Sequence, residues 1–120
     1  MKLFKKVKVL KPLLPASEQS LIKEGEIREL NWEGKELCLV KRKGNIHVFD
    51  NACPHNGFSL SKGWCSDDDA IVCPLHRFRF DLVTGRAKSG IATAVRVYPV
   101  KEKDGALFIE IEKWEFALFD

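Results

Sequence analysis

Apolar and polar residues alternate along this chain over short stretches, and glycine turns interrupt them. A period of two puts every second side chain on one face, which is the mark of half-buried strands. Residues 2–9 alternate loosely and are expected to end before Pro12 and Pro15. Residues 26–31 form a second stretch, closed by the turn Trp32-Glu33-Gly34-Lys35. Residues 36–41 and 46–49 flank Lys43-Gly44-Asn45, a hairpin signal. Residues 94–100 and 106–112 flank Asp104-Gly105, the strongest hairpin signal in the chain. Residues 70–73 and 78–82 are shorter apolar pieces, and Thr84-Gly85 reads as a tight turn. Only residues 17–23 have a helical look, of one or two turns. The pattern predicts an all-β chain, an antiparallel sandwich or barrel, with no repeat, low-complexity segment or linker.

Composition narrows this to one domain. The chain has 120 residues, 45% hydrophobic and 31% charged, which suits a globular fold. Four cysteines are too few for a disulfide scaffold. The net charge of +3 is too mild for a nucleic-acid binder. Five lysines and no acids among the first eleven residues read as a solvated edge strand, where lysine blocks edge-to-edge pairing. No apolar run is long enough to span a membrane, and the first ten residues lack the apolar core of a signal peptide. A cytoplasmic location with reduced cysteines is therefore expected.

One stretch breaks the strand pattern. Between Asp50 and Gly90 turn residues take over, and here lie three of the four cysteines and two of the three histidines. Two segments stand out: Cys53-Pro54-His55-Asn56-Gly57-Phe58 and Cys73-Pro74-Leu75-His76-Arg77-Phe78. Seventeen residues separate His55 from Cys73. Thiolate and imidazole ligands select zinc or iron–sulfur chemistry. A structural zinc site usually pairs Cys with Cys and His with His along the chain. Here each segment supplies one of each, an order that suits an elongated two-iron site, with both cysteines on one iron and both histidines on the other. A structural zinc module remains the alternative. His47 falls in a predicted strand and is read as a partly buried or surface residue, not a ligand. Cys38 is read as a small core residue. Cys65 lies between the segments, and its pairing with Cys38 is disfavoured in a reducing compartment.

The pattern Cys-x-His, seventeen residues, Cys-x-x-His resembles the Rieske family motif. Asp50-Asn51-Ala52-Cys53-Pro54-His55 and Val72-Cys73-Pro74-Leu75-His76 look like its two cluster loops. Phe80-Asp81-Leu82-Val83-Thr84-Gly85 and Tyr98-Pro99-Val100 resemble later segments. The likeness covers about residues 24–111. It implies a Rieske-type β fold over residues 1–120, in which 1–50 and 91–120 form a basal β domain and 51–90 a cluster-binding subdomain. It implies one [2Fe–2S] cluster per chain, held by Cys53, His55, Cys73 and His76.

The same resemblance sorts the family's types. High-potential members carry an extra disulfide between the loops, at positions that are Phe58 and Leu75 here. They also carry a Ser and a Tyr that hydrogen-bond the cluster, at positions that are Phe78 and Phe80 here. A midpoint near the low end of the range of roughly −150 to +300 mV is expected. The family's large oxygenase subunits add an iron held by two further histidines, and with His55 and His76 committed only His47 remains. The chain is expected to carry electrons without catalysing a reaction. A flavin-dependent reductase would be the donor and a terminal oxygenase or reductase the acceptor, docking over a rim that includes Phe58, Leu75 and Arg77. The small subunit of an assimilatory nitrite reductase is the alternative. Two departures from the family pattern are Arg77, where glycine is common, and a segment at residues 88–92 without the usual prolines. The apolar residues 114–119 are expected to pack back on the core.

Overall fold

The computed structural model describes residues 4–88 and 93–116. They form ten strands, one helical turn and a short 3₁₀ turn, in two compact units: Met1–Ser20 with Pro99–Asp120, and Leu21–Tyr98.

The first unit joins the two ends of the chain. Strand β1 (Phe4–Leu14) pairs antiparallel with β10 (Ala106–Phe116), and β10 pairs with β9 (Val100–Lys103). The lysines of β1 lie at one edge of this sheet, as expected. Lys6 pairs with Glu112 at 2.5 Å and Lys8 with Glu110 at 3.8 Å. β1 runs further than the sequence predicts. It passes through Pro12, because a strand at a sheet edge has no second partner that needs every N–H, and the register shifts between Pro12 and Leu14. The helix α1 (Ala16–Gln19) is a single turn with no buried residue, shorter than the predicted 17–23. Without an apolar face to pack, nothing extends so short a helix.

The second unit holds two sheets. β2 (Ile27–Trp32), β3 (Lys35–Arg42), β4 (Asn45–Asp50) and β8 (Val97–Tyr98) form an antiparallel sheet in that order. β5 (Trp64–Ser66), β6 (Ala70–Val72) and β7 (Arg79–Asp81) form a smaller one. Three hairpins turn through a residue-glycine pair in which both φ angles are positive: Glu33-Gly34, Lys43-Gly44 and Asp104-Gly105. These are primed turns, whose twist matches that of the flanking strands. The predicted strand 94–100 is not continuous. It divides at Pro99, which has no N–H for a ladder, into β8 of one sheet and β9 of another. β5 and the 3₁₀ turn Leu60–Lys62 carry no period-two signal and escape the sequence reading.

The core of this unit contains Cys38, Val40, Phe49, Leu60, Ile71, Phe80, Leu82 and Val95, together with Cys53 and Cys73. Gly63 sits so close to β6 that an added Cβ would lie 1.8 Å from the Val72 carbonyl oxygen.

Candidate metal centre

Both cysteine–histidine segments leave strands and close in the same way. In the first, the Cys53 N–H donates to the Phe58 carbonyl at 2.8 Å, and the Gly57 N–H donates to the Cys53 carbonyl at 2.7 Å. In the second, the Cys73 N–H donates to the Phe78 carbonyl at 2.9 Å, and the Arg77 N–H to the Cys73 carbonyl at 2.8 Å. Each segment is thus a tight loop starting at its cysteine. The fourth residue after the cysteine is left-handed in both, at φ +79° for Gly57 and +58° for Arg77. Glycine takes this conformation freely, whereas arginine holds it against steric repulsion from its Cβ.

Loop one is anchored by Asn51, the one buried polar side chain among the described residues. Its N–H donates to the Glu36 carbonyl at 3.0 Å, and its carbonyl accepts the Leu60 N–H at 2.7 Å. Its side-chain oxygen accepts the Ser61 N–H at 2.8 Å. Asn51 therefore fixes both ends of the segment that contains Cys53 and His55. Nearby, the Tyr98 hydroxyl donates to Asp50 Oδ1 at 2.7 Å and ties β8 to β4. The hydrogen-bonding role of Asn51 is not readable from sequence; its place in the segment Asp50-Asn51-Ala52-Cys53 is the only signal.

These frames bring the four candidate ligands together in two pairs, Cys53 with Cys73 and His55 with His76. The thiols of Cys53 and Cys73 are buried, at 2% and 0% exposure. His55 and His76 are exposed. Their rings lie 5.5 Å apart, edge to face, and the Phe78 ring packs 4.3 Å from His55 and 6.1 Å from His76. Burial pushes the Cys53 thiol above its ordinary range, and the neighbouring Cys73 adds to the rise. The backbone N–H groups of His55 and Asn56 act against it. The two sulfurs thus form an inner pair and the two imidazoles an outer pair.

That donor set fits a two-iron cluster. Soft thiolates and imidazoles are its ligands, and each iron asks the protein for only two. Among the described residues no three His, Cys, Asp or Glu side chains converge on a single ion position. Cys53 and Cys73 would hold such a group from the core side, and His55 and His76 from the surface side.

The remaining predicted positions fall as follows. His47 is half-buried in β4, and burial lowers its pKa while its contact with the Leu82 backbone opposes the shift. Cys38 is fully buried, and burial raises its thiol pKa to about 12. Cys65 is half-buried, and both are free thiols. Phe80 is fully buried in the core and Phe78 faces the imidazoles, so neither position offers a hydroxyl. At the rim, Leu75 is 51% exposed, Arg77 is exposed, and Lys62 lies 5.8 Å over the half-buried Phe58 ring. Arg79 is engaged with Asp68 at 2.5 Å. Residues 89–92, in the segment without prolines, and residues 117–119 of the apolar tail lie outside the described residues. Trp114 is 68% exposed, so this part of the tail does not pack as expected.

Comparison with known proteins agrees with this geometry. The chain is 38% identical over 91 residues to the ferredoxin component of the naphthalene 1,2-dioxygenase system of Pseudomonas aeruginosa, covering 75% of this chain and 86% of that one. It superposes with a TM-score of 0.70 on a solved complex of reduced oxygenase and oxidised ferredoxin of carbazole 1,9a-dioxygenase, at 28% identity and covering 82% of this chain and 99% of the other. A putative NADH-dependent nitrite reductase small subunit from Mycobacterium tuberculosis shares the fold, with a TM-score of 0.73, 19% identity, and coverage of 88% and 96%. The family profile of the Rieske [2Fe–2S] domain matches residues 13–99, and the chain belongs to that family.

Proposed function

We propose that this chain is a one-electron carrier in which Cys53, His55, Cys73 and His76 hold a single [2Fe–2S] cluster. The observation that carries the reading is the matched pair of loops, each with one buried cysteine and one exposed histidine. When bound, the cluster supplies a site that accepts and releases one electron. The protein's own part is to bury the thiolates, expose the imidazoles and keep both loops rigid. Residues 51–90 serve as the cluster-binding segment on the β scaffold.

The working partners are a flavin-dependent reductase as donor and a terminal oxygenase as acceptor, in line with the oxygenase systems of the relatives. The contact is small and transient, as electron-transfer encounters are. It falls on the His55–His76 face, rimmed by Phe58, Leu75 and Arg77. No carboxylate occurs in residues 51–66 or 70–80, whereas Lys62 and Arg77 do, so the rim fits an acidic partner surface. The absence of hydroxyls at Phe78 and Phe80 favours a low midpoint potential. No described helix is long and apolar enough to cross a membrane, and we place the protein in the cytoplasm. The nitrite reductase alternative rests on a likeness of fold alone and predicts copurification with a sirohaem partner.

The test is a visible and electron paramagnetic resonance spectrum of the purified protein, oxidised and reduced, with iron and sulfide analysis. A coloured protein with two irons and two sulfides per chain, lost in Cys73→Ser and His76→Ala, is expected. A colourless protein containing one zinc would refute the reading.

A further inference from the structure

We propose that Asn56 tunes this site: its side-chain amide reaches from loop one across to the Cys73 sulfur of loop two and raises the midpoint potential. The inference rests on the cluster reading above. Asn56 Nδ2 lies 3.8 Å from Cys73 Sγ, and Asn56 Oδ1 lies 3.9 Å from the same atom. The two contacts differ in chemistry. A thiol could donate to Oδ1, but a metal-bound cysteine is a thiolate with no proton to give. Only the Nδ2–H to sulfur contact survives ligation.

The orientation of the amide is set independently. The Phe58 N–H donates to Asn56 Oδ1 at 2.8 Å in an Asx turn, which engages the oxygen and leaves Nδ2–H as the amide group free to donate to the sulfur. Cys73 is fully buried, which limits the competition of water for its sulfur.

The consequence for electron transfer is a matter of sign. A one-electron donor such as a reductase flavin adds one negative charge to the loaded site, and no bond breaks and no proton moves at Asn56. A hydrogen bond to an anionic acceptor strengthens with the charge on that acceptor, so it favours the reduced state. Phe78 and Phe80 bring no hydroxyl, so among the described residues Asn56 is the side-chain donor at this thiolate. It offsets part of the low potential that those two phenylalanines imply.

The test is redox titration of the cluster-loaded protein and two variants. Asn56→Ser keeps a short acceptor for the Phe58 N–H but cannot reach Cys73, and Asn56→Ala removes both contacts. Both variants are expected to lower the midpoint by a similar amount, equivalent to about a tenfold shift toward the oxidised state, or about 59 mV for one electron. The hydrogen–deuterium shift of the Fe–S(Cys) stretching bands in resonance Raman spectra is expected to shrink in both, a change that a purely structural role would not produce. A shift of less than twofold in Asn56→Ser, with its visible spectrum unchanged, overturns the proposal. A wild-type protein without a two-iron spectrum overturns the cluster reading itself, before any variant is compared.

Discussion

Arg77 offers a quantitative check on how the second loop is held. Its φ of +58° repeats the +79° of Gly57 in the first loop, and the same hydrogen bond to the cysteine carbonyl closes both turns. The left-handed region costs an L-residue roughly 1–2 kcal/mol. Glycine escapes that cost but has a freer unfolded chain, which removes about 0.4–1 kcal/mol of the gain. Arg77→Gly and Arg77→Ala both delete the charge, so their difference isolates the backbone. Arg77→Gly is expected to be the more stable by about 1 kcal/mol, or roughly 3–6 °C in thermal midpoint for a chain of this length. Arg77→Ala and Arg77→Lys keep the strain and should stay within about 0.5 kcal/mol of the wild type. The assay is thermal unfolding of the cluster-loaded proteins by circular dichroism at two scan rates, so that irreversible cluster loss is recognised. Equal midpoints for the glycine and alanine variants would refute the claim that residue 77 is strained.

Three further outcomes are expected. Gly63→Ala should destabilise by about 3 kcal/mol or more, because the new Cβ would sit 1.8 Å from a backbone oxygen that cannot swing aside; its soluble yield and denaturation midpoint report this. Asp81 is pushed up by burial, but the N–H groups of Thr84 and Val83 and the Lys88 ammonium outweigh this and hold it below the usual carboxylate range. Its stabilisation is complete above the unfolded value of about 4 and is lost as pH falls through the lower folded value, so Asp81→Asn should flatten the stability profile below about pH 4. Electron transfer to an acidic acceptor should slow as salt rises through about 0.1 M, where the screening length is about 10 Å, and Arg77→Glu should slow it further at low salt in stopped-flow traces.

Much of the fold was legible because its hairpins are local. The pairs Glu33-Gly34, Lys43-Gly44 and Asp104-Gly105 announce primed turns, and the strands beside them alternate cleanly. Prolines were harder to read. Pro12 is tolerated inside β1 because it lies at an edge, whereas Pro99 divides a predicted strand because the chain passes from one sheet to another there. Neither context is visible in a linear pattern. At the site, cysteine and histidine spacing identified the candidate ligands, since a loop that holds two of them must be short. The supporting shell was not legible. Asn51 and Asn56 matter through partners 15 and 17 residues away, Glu36 and Cys73, and no local pattern encodes those distances.

The pairing of β1 with β10 also bears on the order in which the chain can fold. Phe4 lies opposite Phe116 and Leu14 opposite Leu107, pairings between residues 112 and 93 positions apart. Such distant pairing is slow to form, and on the ribosome it must wait for the last strand to emerge. Leu21–Tyr98, by contrast, is a contiguous unit that contains both loops, Asn51 and all four candidate ligands. The residues that would receive the metal can therefore meet before β10 is made, and the β1–β10 pairing forms only after it.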